Sequence, residues 1–290
     1  RLSNNSAISL LRKINLDIDE SAKIVGPRLL HSSQFGLIDP IDTPDGGNIG
    51  THKHMSIITH ISNDISKKKM EEWIFDEYKK DLIKIDNKMP KYLNNRTKIY
   101  LNGVWIGVTD HPNDIVKDMK DKGRKGKILD LAEDITKLIS ITFNILTNSI
   151  IINCDGGRLL RPLFYLVKGE ANKQLIAPNL MDNDYDWNKI SKYLDFVDSM
   201  ETEDLYICMD YNMLNTGNLY SHMEIKPSLM FGVMGNQVIF PEHNPPSRNL
   251  FSCGQSKQAV SLYHTNYHNR MDKTSYVLNY GQIPLIKSFY

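Results

Sequence analysis

The chain has 290 residues, enough for more than one hydrophobic core, since single cores usually stop growing at about 250 to 300 residues. With 41% hydrophobic and 24% charged residues, the composition is that of a folded globular protein and excludes wholesale disorder. The 35 lysines and arginines nearly balance 34 acidic residues. This balance excludes a uniformly basic protein that coats nucleic acid, but it allows a local basic channel.

Cysteine usage and the start of the chain indicate its compartment and extent. Cys154, Cys208 and Cys253 lie far apart without a Cys-x-x-Cys pair, which argues against a zinc ribbon or a disulfide framework and favours a reducing compartment. The longest apolar runs are interrupted by polar residues and are too short to span a bilayer. Because the chain begins at Arg1 without a methionine or a signal sequence, we expect it to be part of a longer polypeptide.

The first predicted element is a helix over residues 5–14, which Asn5 or Ser6 can cap. Four apolar residues fall near one face of it: Ala7, Ile8, Leu11 and Ile14. The acidic stretch 15–26 is predicted to be a solvated loop, because it lacks the glycine and the late glutamate of a calcium-binding loop. Turn-forming residues then dominate residues 28–49 and predict a rigid, ordered loop of the kind that often carries function.

A lysine-rich region over residues 65–128 is predicted to be a small α/β module whose lysines lie on a solvated surface. Within it, the alternation over 99–108 predicts strand structure with a turn at Asn102 and Gly103. These signals together predict a separate folded module in this part of the chain.

Two apolar runs in residues 151–167 flank an Asp-Gly-Gly sequence at 155–157, which predicts a β-hairpin. Arg158 and Arg161 on its second strand are expected to make structural ion pairs rather than nucleic-acid contacts. Residues 187–210 are predicted to form a short helix, an acidic turn and a strand.

The last quarter of the chain concentrates hydrogen-bond donors among apolar and aromatic residues. Arginine offers a planar fork of donors, lysine a point charge, and asparagine and glutamine neutral hydrogen bonds. The donors concerned are Arg248, Asn249, Lys257, Gln258, Asn266, Asn269 and Arg270. Such a set suits a polyanion that must be gripped and released.

Several segments together resemble the second-largest subunit of multisubunit DNA-directed RNA polymerases, called β in bacteria. They match, in chain order, the fork region (27–50), motifs of the external domains (102–108, 123–126 and 154–164) and the start of the hybrid-binding domain (224–260 and 265–272). These motifs are long and keep one order, unlike short patterns. Their details resemble the eukaryotic, archaeal and large-virus versions, and the excess of Asn, Ile and Lys leads to the hypothesis of a viral origin.

The resemblance implies a mixed α/β, multidomain fold. We expect a fork region at 1–62 and two small external α+β modules at 63–150 and 151–221. The start of a β-rich hybrid-binding domain is expected at 222–290.

The resemblance also implies a nucleotidyltransferase that transcribes DNA, in which the RNA 3′ hydroxyl attacks a nucleoside triphosphate with the help of two metal ions. The Mg²⁺ would be held mainly by the largest subunit, so no metal or cofactor ligand is assigned to this chain, and the chain alone is expected to be inactive. Arg248 would contact the triphosphate, and Lys257 and Gln258 would contact the RNA. Arg28 and Asp45 would lie near the active centre and the downstream end of the hybrid. The implied partners are the largest and other polymerase subunits, template DNA, transcript and nucleoside triphosphates, with no membrane.

This sequence departs from the family pattern at three positions. Phe251 stands where relatives often carry tyrosine, and Asp45 replaces the more usual glutamate. Asp39 stands where relatives usually have a small or apolar residue. The first departure removes a hydroxyl, and the second shortens a carboxylate by one methylene.

Simpler interpretations of these residues stay open. Arg248 can brace the loop that follows two prolines, and Lys257 with Gln258 can lie on a solvated helix face. The run 52–54, His-Lys-His, is predicted to be strand or loop surface and not a metal site.

The alternative function is a non-catalytic paralogue that binds nucleic acid or serves as a scaffold, because a fold alone does not prove function. A free-standing hydrolase is disfavoured, since the chain has no Gly-x-Ser-x-Gly pattern. The sequence leaves open the source organism, the promoter class, the initiation factors, and whether the enzyme is nuclear, cytoplasmic or carried in a virion.

Overall fold

The computed structural model describes residues 3–16, 24–85, 93, 96–129, 131–168, 174–175, 191–216, 219–259 and 285–286. Their α-helices are α1 Asn4–Leu11, α2 Lys67–Glu77, α3 Pro112–Arg124, α4 Glu133–Thr136, α5 Ser199–Glu203 and α6 Pro246–Gln258. Their strands are β1 Lys13–Asn15, β2 His52–His54, β3 His60–Ile61, β4 Leu82–Lys84, β5 Thr97–Leu101, β6 Val104–Thr109, β7 Ser140–Asn144, β8 Ser149–Asn153, β9 Leu159–Tyr165, β10 Val167–Lys168, β11 Gln174–Leu175, β12 Leu194–Val197, β13 Ile207–Cys208 and β14 His222–Met223. The predicted mixed α/β class is confirmed.

The chain divides into two compact units. Unit 1 comprises residues 1–59 and 227–290, and unit 2 comprises residues 60–226. None of the helices in the described ranges combines the length and apolarity that crossing a bilayer requires.

The first helix of unit 1 is shorter than predicted. Ser3 caps α1 by accepting a hydrogen bond from the Ser6 amide, and the helix ends at Leu11 because the following residues pair as β1 with β2. The predicted apolar face is wrong as well. Leu11 is 82% exposed, and the buried residue of the helix is Ser9. Local apolar periodicity therefore did not identify the packed face.

Residues 28–49 form the ordered series of bends that the sequence predicts. Short 3₁₀ turns at Gly26–Arg28, Ser32–Gln34 and Gly46–Asn48 carry the chain, and Ile38 bridges to Met55. Gly50 closes the series with φ +79°, and a Cβ at this position would overlap the carbonyl oxygen of Arg28. Only glycine allows this close approach without strain.

The first of two five-stranded sheets in unit 2 has the strand order β4-β6-β5-β8-β7, in which β5 and β8 are parallel and the other neighbours antiparallel. Asn102 and Gly103, with φ 47° and 77°, join β5 to β6 and confirm the predicted turn. Helices α2 and α3 cover the sheet core with Met70 and Met119, which are fully buried. The α/β module predicted for the lysine-rich region is therefore present.

The predicted hairpin at 151–167 is wrong. Strand β8 belongs to the first sheet, whereas β9 belongs to the second sheet, of order β12-β9-β14-β13, with β3 also paired to β9. Ser62 holds the intervening bend. Its hydroxyl donates to Asp155 O at 2.9 Å, its amide donates to Arg158 O at 2.9 Å, and its carbonyl accepts from Gly157 N at 3.0 Å. The Asp-Gly-Gly bend thus passes the chain between two sheets.

Two of the three elements predicted for residues 187–210 differ in the structure, whereas the predicted strand is present as Ile207–Cys208. Leu194–Val197 forms a strand where a helix was expected, and Ser199–Glu203 forms a helix where an acidic turn was expected. Asp198 explains the helix, because its carboxylate caps it by accepting from the Glu201 amide at 2.8 Å.

Both arginines of the 151–167 segment make the structural ion pairs that were predicted. Arg158 pairs with Asp155 at 3.1 Å and Asp198 at 3.5 Å, and Arg161 pairs with Glu224. The acidic residues of the predicted loop at 17–20, and Asn266, Asn269 and Arg270, lie outside the described residues.

Candidate functional site

Helix α6 carries the central part of the donor-rich segment. It begins at Pro246, where the missing N–H costs nothing because the first turn of a helix has no intrahelical acceptor. Asn249 is buried and donates to Pro241 O at 2.8 Å, and Cys253 is buried one turn further on. These contacts fix the side of the helix that packs inward and leave its other residues at the surface.

The α6 helix packs on α1, and a cavity of about 430 Å³ lies in this part of unit 1. The cavity is bounded by α1, β1, β2, α6 and residues 43–45, and its titratable lining residues are Lys13, Asp45, His52, His54 and Lys257. Three of the predicted site residues, Asp45, Lys257 and Gln258, line it. The cavity wall therefore carries more cationic and titratable nitrogen groups than carboxylates.

Lys257 is held at this wall by two residues that the sequence interpretation missed. Its Nζ lies 2.6 Å from Asp42 Oδ1 and 3.4 Å from His54 Nε2. The Asp42 and His54 side chains are only 3% and 8% exposed. A buried carboxylate this close to a lysine fixes the direction in which the ammonium points. In the sequence, the only signal for Asp42 was its position inside the fork region at 27–50.

Residues 52–54 form a strand, which is one of the two predicted forms. The expectation that they lie at the surface is wrong for two of the three residues. Lys53 and His54 are 8% and 6% exposed. Lys53 Nζ donates to Leu29 O at 3.1 Å, and burial lowers the pKa of Lys53. Burial also lowers the pKa of His54, against the opposing effect of Asp42. The pairing of β2 with β1 places these side chains inside unit 1.

Asp39 is buried in the same unit beside a glycine-containing turn. Its carboxylate accepts from Gly232 N at 2.8 Å and Ile41 N at 3.0 Å. Burial raises the pKa of Asp39 to about 6, although these two bonds oppose the rise. A Cβ at Gly232 would lie 2.7 Å from Asp39 Oδ2, and a Cβ at Gly235 would lie 2.6 Å from the same oxygen. The absence of side chains at these two glycines therefore leaves room for the buried carboxylate of Asp39.

The two arginines of the predicted site are not among the residues that line the cavity. Arg248 is exposed in the first turn of α6, and its guanidinium carbon lies 5.9 Å from the centroid of the Phe251 ring. Arg28 is half-buried and donates from Nη1 to Gly47 O at 2.7 Å. Within the described residues, no group of three or more His, Cys, Asp and Glu side chains is arranged to hold a metal ion.

Comparison with known protein families identifies three matching models in chain order. Residues 1–61 match RNA polymerase Rpb2, domain 3, residues 99–167 match domain 4, and residues 234–289 match domain 6. Together they account for more than half of the chain and keep the order of the motifs seen in the sequence.

Individual relatives give the same result. The chain is 31% identical over 97% of its length to DNA-directed RNA polymerase II subunit RPB2 of Encephalitozoon cuniculi. It is 30% identical over 99% to RNA polymerase II subunit 2 of Arabidopsis thaliana, and 28% identical over 98% to subunit Rpo2 of Sulfolobus acidocaldarius. The chain spans 25% of the length of each of these relatives. They are eukaryotic and archaeal, so they give no support to a viral origin.

Proposed function

Because the chain belongs to the family of second-largest subunits of DNA-directed RNA polymerases, we propose that it is part of a catalytic polymerase subunit and lines the active-centre cleft. There it contacts the RNA–DNA hybrid and the incoming nucleoside triphosphate. One observation carries the proposal most directly. A lysine ammonium is fixed by a buried carboxylate at the wall of a cavity of about 430 Å³, inside the region that matches domains 3 and 6.

Lys257 and Gln258 bind the backbone of the RNA strand. A lysine bound to phosphate, with a neighbouring amide bound to sugar or phosphate, positions nucleic acid without reading its bases. A processive enzyme requires this, because the same contacts must accept every sequence. Gln258 is exposed next to Lys257 and lines the same cavity.

Arg248 contacts the phosphates of the triphosphate. Its guanidinium is exposed and lies near the Phe251 ring, which leaves the donor fork available to an anion. A bidentate guanidinium stabilises the negative charge that develops on the leaving pyrophosphate. Arg28 and Asp45 belong to the fork segment and lie near the downstream end of the hybrid in this proposal.

The Mg²⁺ ions of the reaction would be held mainly by the largest subunit, and they would neutralise charge on the reacting phosphates. The chain then contributes positioning and charge, together with the largest and other polymerase subunits, template DNA and transcript as partners.

The test uses the full-length subunit assembled into its polymerase, with Arg248 changed to Ala or to Lys. Arg248→Ala should raise the KM for nucleoside triphosphates at least about tenfold and leave assembly intact, since hydrogen bonds to charged groups contribute about 1.5 to 3 kcal/mol. Arg248→Lys should recover only part of this, because the planar fork is lost. Lys84→Ala, which removes a 67% exposed cation from unit 2, is the control.

Normal elongation by the Arg248→Ala enzyme at limiting nucleotide would refute the role given to Arg248. A wild-type complex that assembles on nucleic acid and makes no RNA would instead favour the alternative of a non-catalytic scaffold.

A further inference from the structure

Lys257 is held by contacts from three separate parts of unit 1. Its ammonium contacts Asp42, from the fork segment, and His54, from β2, at 2.6 and 3.4 Å. Its carbonyl oxygen accepts a hydrogen bond from the hydroxyl of Ser3, at the start of α1, at 2.7 Å. Both the side chain and the backbone of this lysine are therefore anchored where α6 ends.

The hydrogen-bond partners of His54 determine which of its nitrogens carries the proton. His54 Nδ1 lies 2.9 Å from the carbonyl oxygen of Asp42, which can only accept a hydrogen bond. His54 Nε2 faces the ammonium of Lys257, which can only donate one. Both contacts are satisfied by the neutral imidazole with its proton on Nδ1, and by no other form of the ring.

We propose that Asp42 and His54 are positioning residues that hold the Lys257 ammonium in place for the RNA backbone. The proposal rests on the function proposed above, because it takes from there the contact of Lys257 with RNA. A fixed ammonium binds a phosphate better than a mobile one, because less side-chain freedom is lost on binding.

The charged groups around His54 agree with this arrangement. Asp42 and Lys257 contact the ring, and Lys13 stands opposite it in the register of β1 and β2. Burial lowers the pKa of His54, Asp42 opposes this effect, and Lys257 and Lys13 add to it. The imidazole is therefore neutral at pH 7. Protonation at lower pH would put an N–H in front of the ammonium and remove its acceptor.

The substitution Asp42→Asn distinguishes positioning of the Lys257 ammonium from simple electrostatic attraction of the RNA. The substitution removes a negative charge from a site that faces a polyanion, so electrostatic attraction alone predicts tighter RNA binding. Positioning predicts the opposite, namely transcript dissociation from assembled elongation complexes that is about tenfold faster, as in Lys257→Ala. Asp42→Glu, which restores a carboxylate, should return the rate to within about threefold of wild type.

A double variant and a pH profile complete the experiment. Adding Asp42→Asn to Lys257→Ala should change the dissociation rate no further, because both substitutions remove one interaction. For wild type, dissociation should stay constant as the pH falls from 7.5 to 6.5, the ordinary pKa of histidine, and should accelerate only below it, because the pKa of His54 is lowered. His54→Gln should flatten this profile, whereas His243→Gln, at a 76% exposed side chain, should keep it.

Tighter binding by Asp42→Asn, an additive double variant, or a wild-type pH profile in His54→Gln would overturn the proposal. If the Lys257→Ala enzyme binds RNA normally, the proposed contact between Lys257 and RNA is refuted. Acylation of Lys257 in the assembled enzyme, measured by mass spectrometry, still tests the positioning in that case. Asp42→Asn should then label Lys257 several-fold faster, because Lys257 Nζ loses the 2.6 Å contact with the buried Asp42 carboxylate that holds it at the wall, and becomes more accessible to the reagent. An unchanged labelling rate would overturn the positioning role.

Discussion

Arg161 and Glu224 form an ion pair whose side chains are 2% and 4% exposed. Arg161 lies on β9, and Glu224 follows directly on β14, which pairs with β9. Two charges are thus buried at one place in the second sheet of unit 2. Such a pair need not be more stable than apolar residues of the same size, but removing the glutamate takes away the buried counter-charge of the arginine.

Glu224→Ala should therefore destabilise unit 2 by about 3 to 5 kcal/mol. All three tryptophans, Trp73, Trp105 and Trp187, lie within residues 60–226, so tryptophan fluorescence during denaturation with urea reports this unit. Glu71→Ala breaks a pair with Lys84, whose side chain is 67% exposed, and should cost less than about 1 kcal/mol. Equal losses in the two variants would contradict the prediction.

The hydrogen bonds to the Asp195 carboxylate predict that the fold loses stability at acid pH. Burial would raise the pKa of Asp195, but hydrogen bonds from His222 and Arg124 outweigh burial and lower it to about 2. The ordinary value of 3.8 applies to the unfolded chain, so the unfolded state binds more protons between pH 4 and 2. The ionised Asp195 carboxylate therefore contributes ~2 kcal/mol to the free energy of unfolding above pH 4, and this contribution is lost as the pH falls towards 2.

Asp195→Asn should accordingly be less stable than wild type at pH 7, and the difference should shrink as the pH approaches 2. Unfolding followed by tryptophan fluorescence over this range is the measurement. A difference between the two proteins that stays constant from pH 7 to 2 would show that Asp195 does not titrate in this way.

Glu201 has the opposite dependence. Burial raises its pKa to about 7, although Lys120 at 3.3 Å opposes the rise. Between pH 4.5 and 7 the folded state binds more protons than the unfolded state. The contribution of Glu201 to the free energy of unfolding is therefore present below pH 4.5 and lost as the pH rises to 7. Glu201→Gln should therefore gain stability relative to wild type as the pH rises through this window. Glu203→Gln, an exposed position on the same helix, is the control for the same denaturation series.

Gly50 should tolerate no side chain. Gly50→Ala places a Cβ against the Arg28 carbonyl and requires φ +79°, so we expect a loss of at least about 2 kcal/mol in unit 1. Gly47→Ala is the matched control, because no atom lies within 4 Å of its Cβ position. Proteolysis of residues 28–50 under native conditions should accelerate in the first variant only. Similar cleavage rates in both would show that the approach of Arg28 to Gly50 does not hold this segment.

Particular residues show where local sequence signals suffice. The turn at Asn102 and Gly103 is confirmed because both residues adopt positive φ at low cost, and that preference is independent of the rest of the chain. The glycine bend at 155–157 has the same chemistry, yet β8 and β9 do not pair. Strand pairing depends on distant partners, here β5 for β8 and β12 for β9, which no local pattern specifies.

The sequence by itself determined the mixed α/β class and, through long motifs in one order, the resemblance to second-largest polymerase subunits. The tertiary structure alone decided what surrounds the donors. Lys257 meets Asp42 and His54 across 215 and 203 positions of the chain. Their interaction arises from burial and proximity in the folded unit, and neither is encoded in a local propensity. The lysine could be recognised from its motif, but the residues that hold it could be found only in the fold.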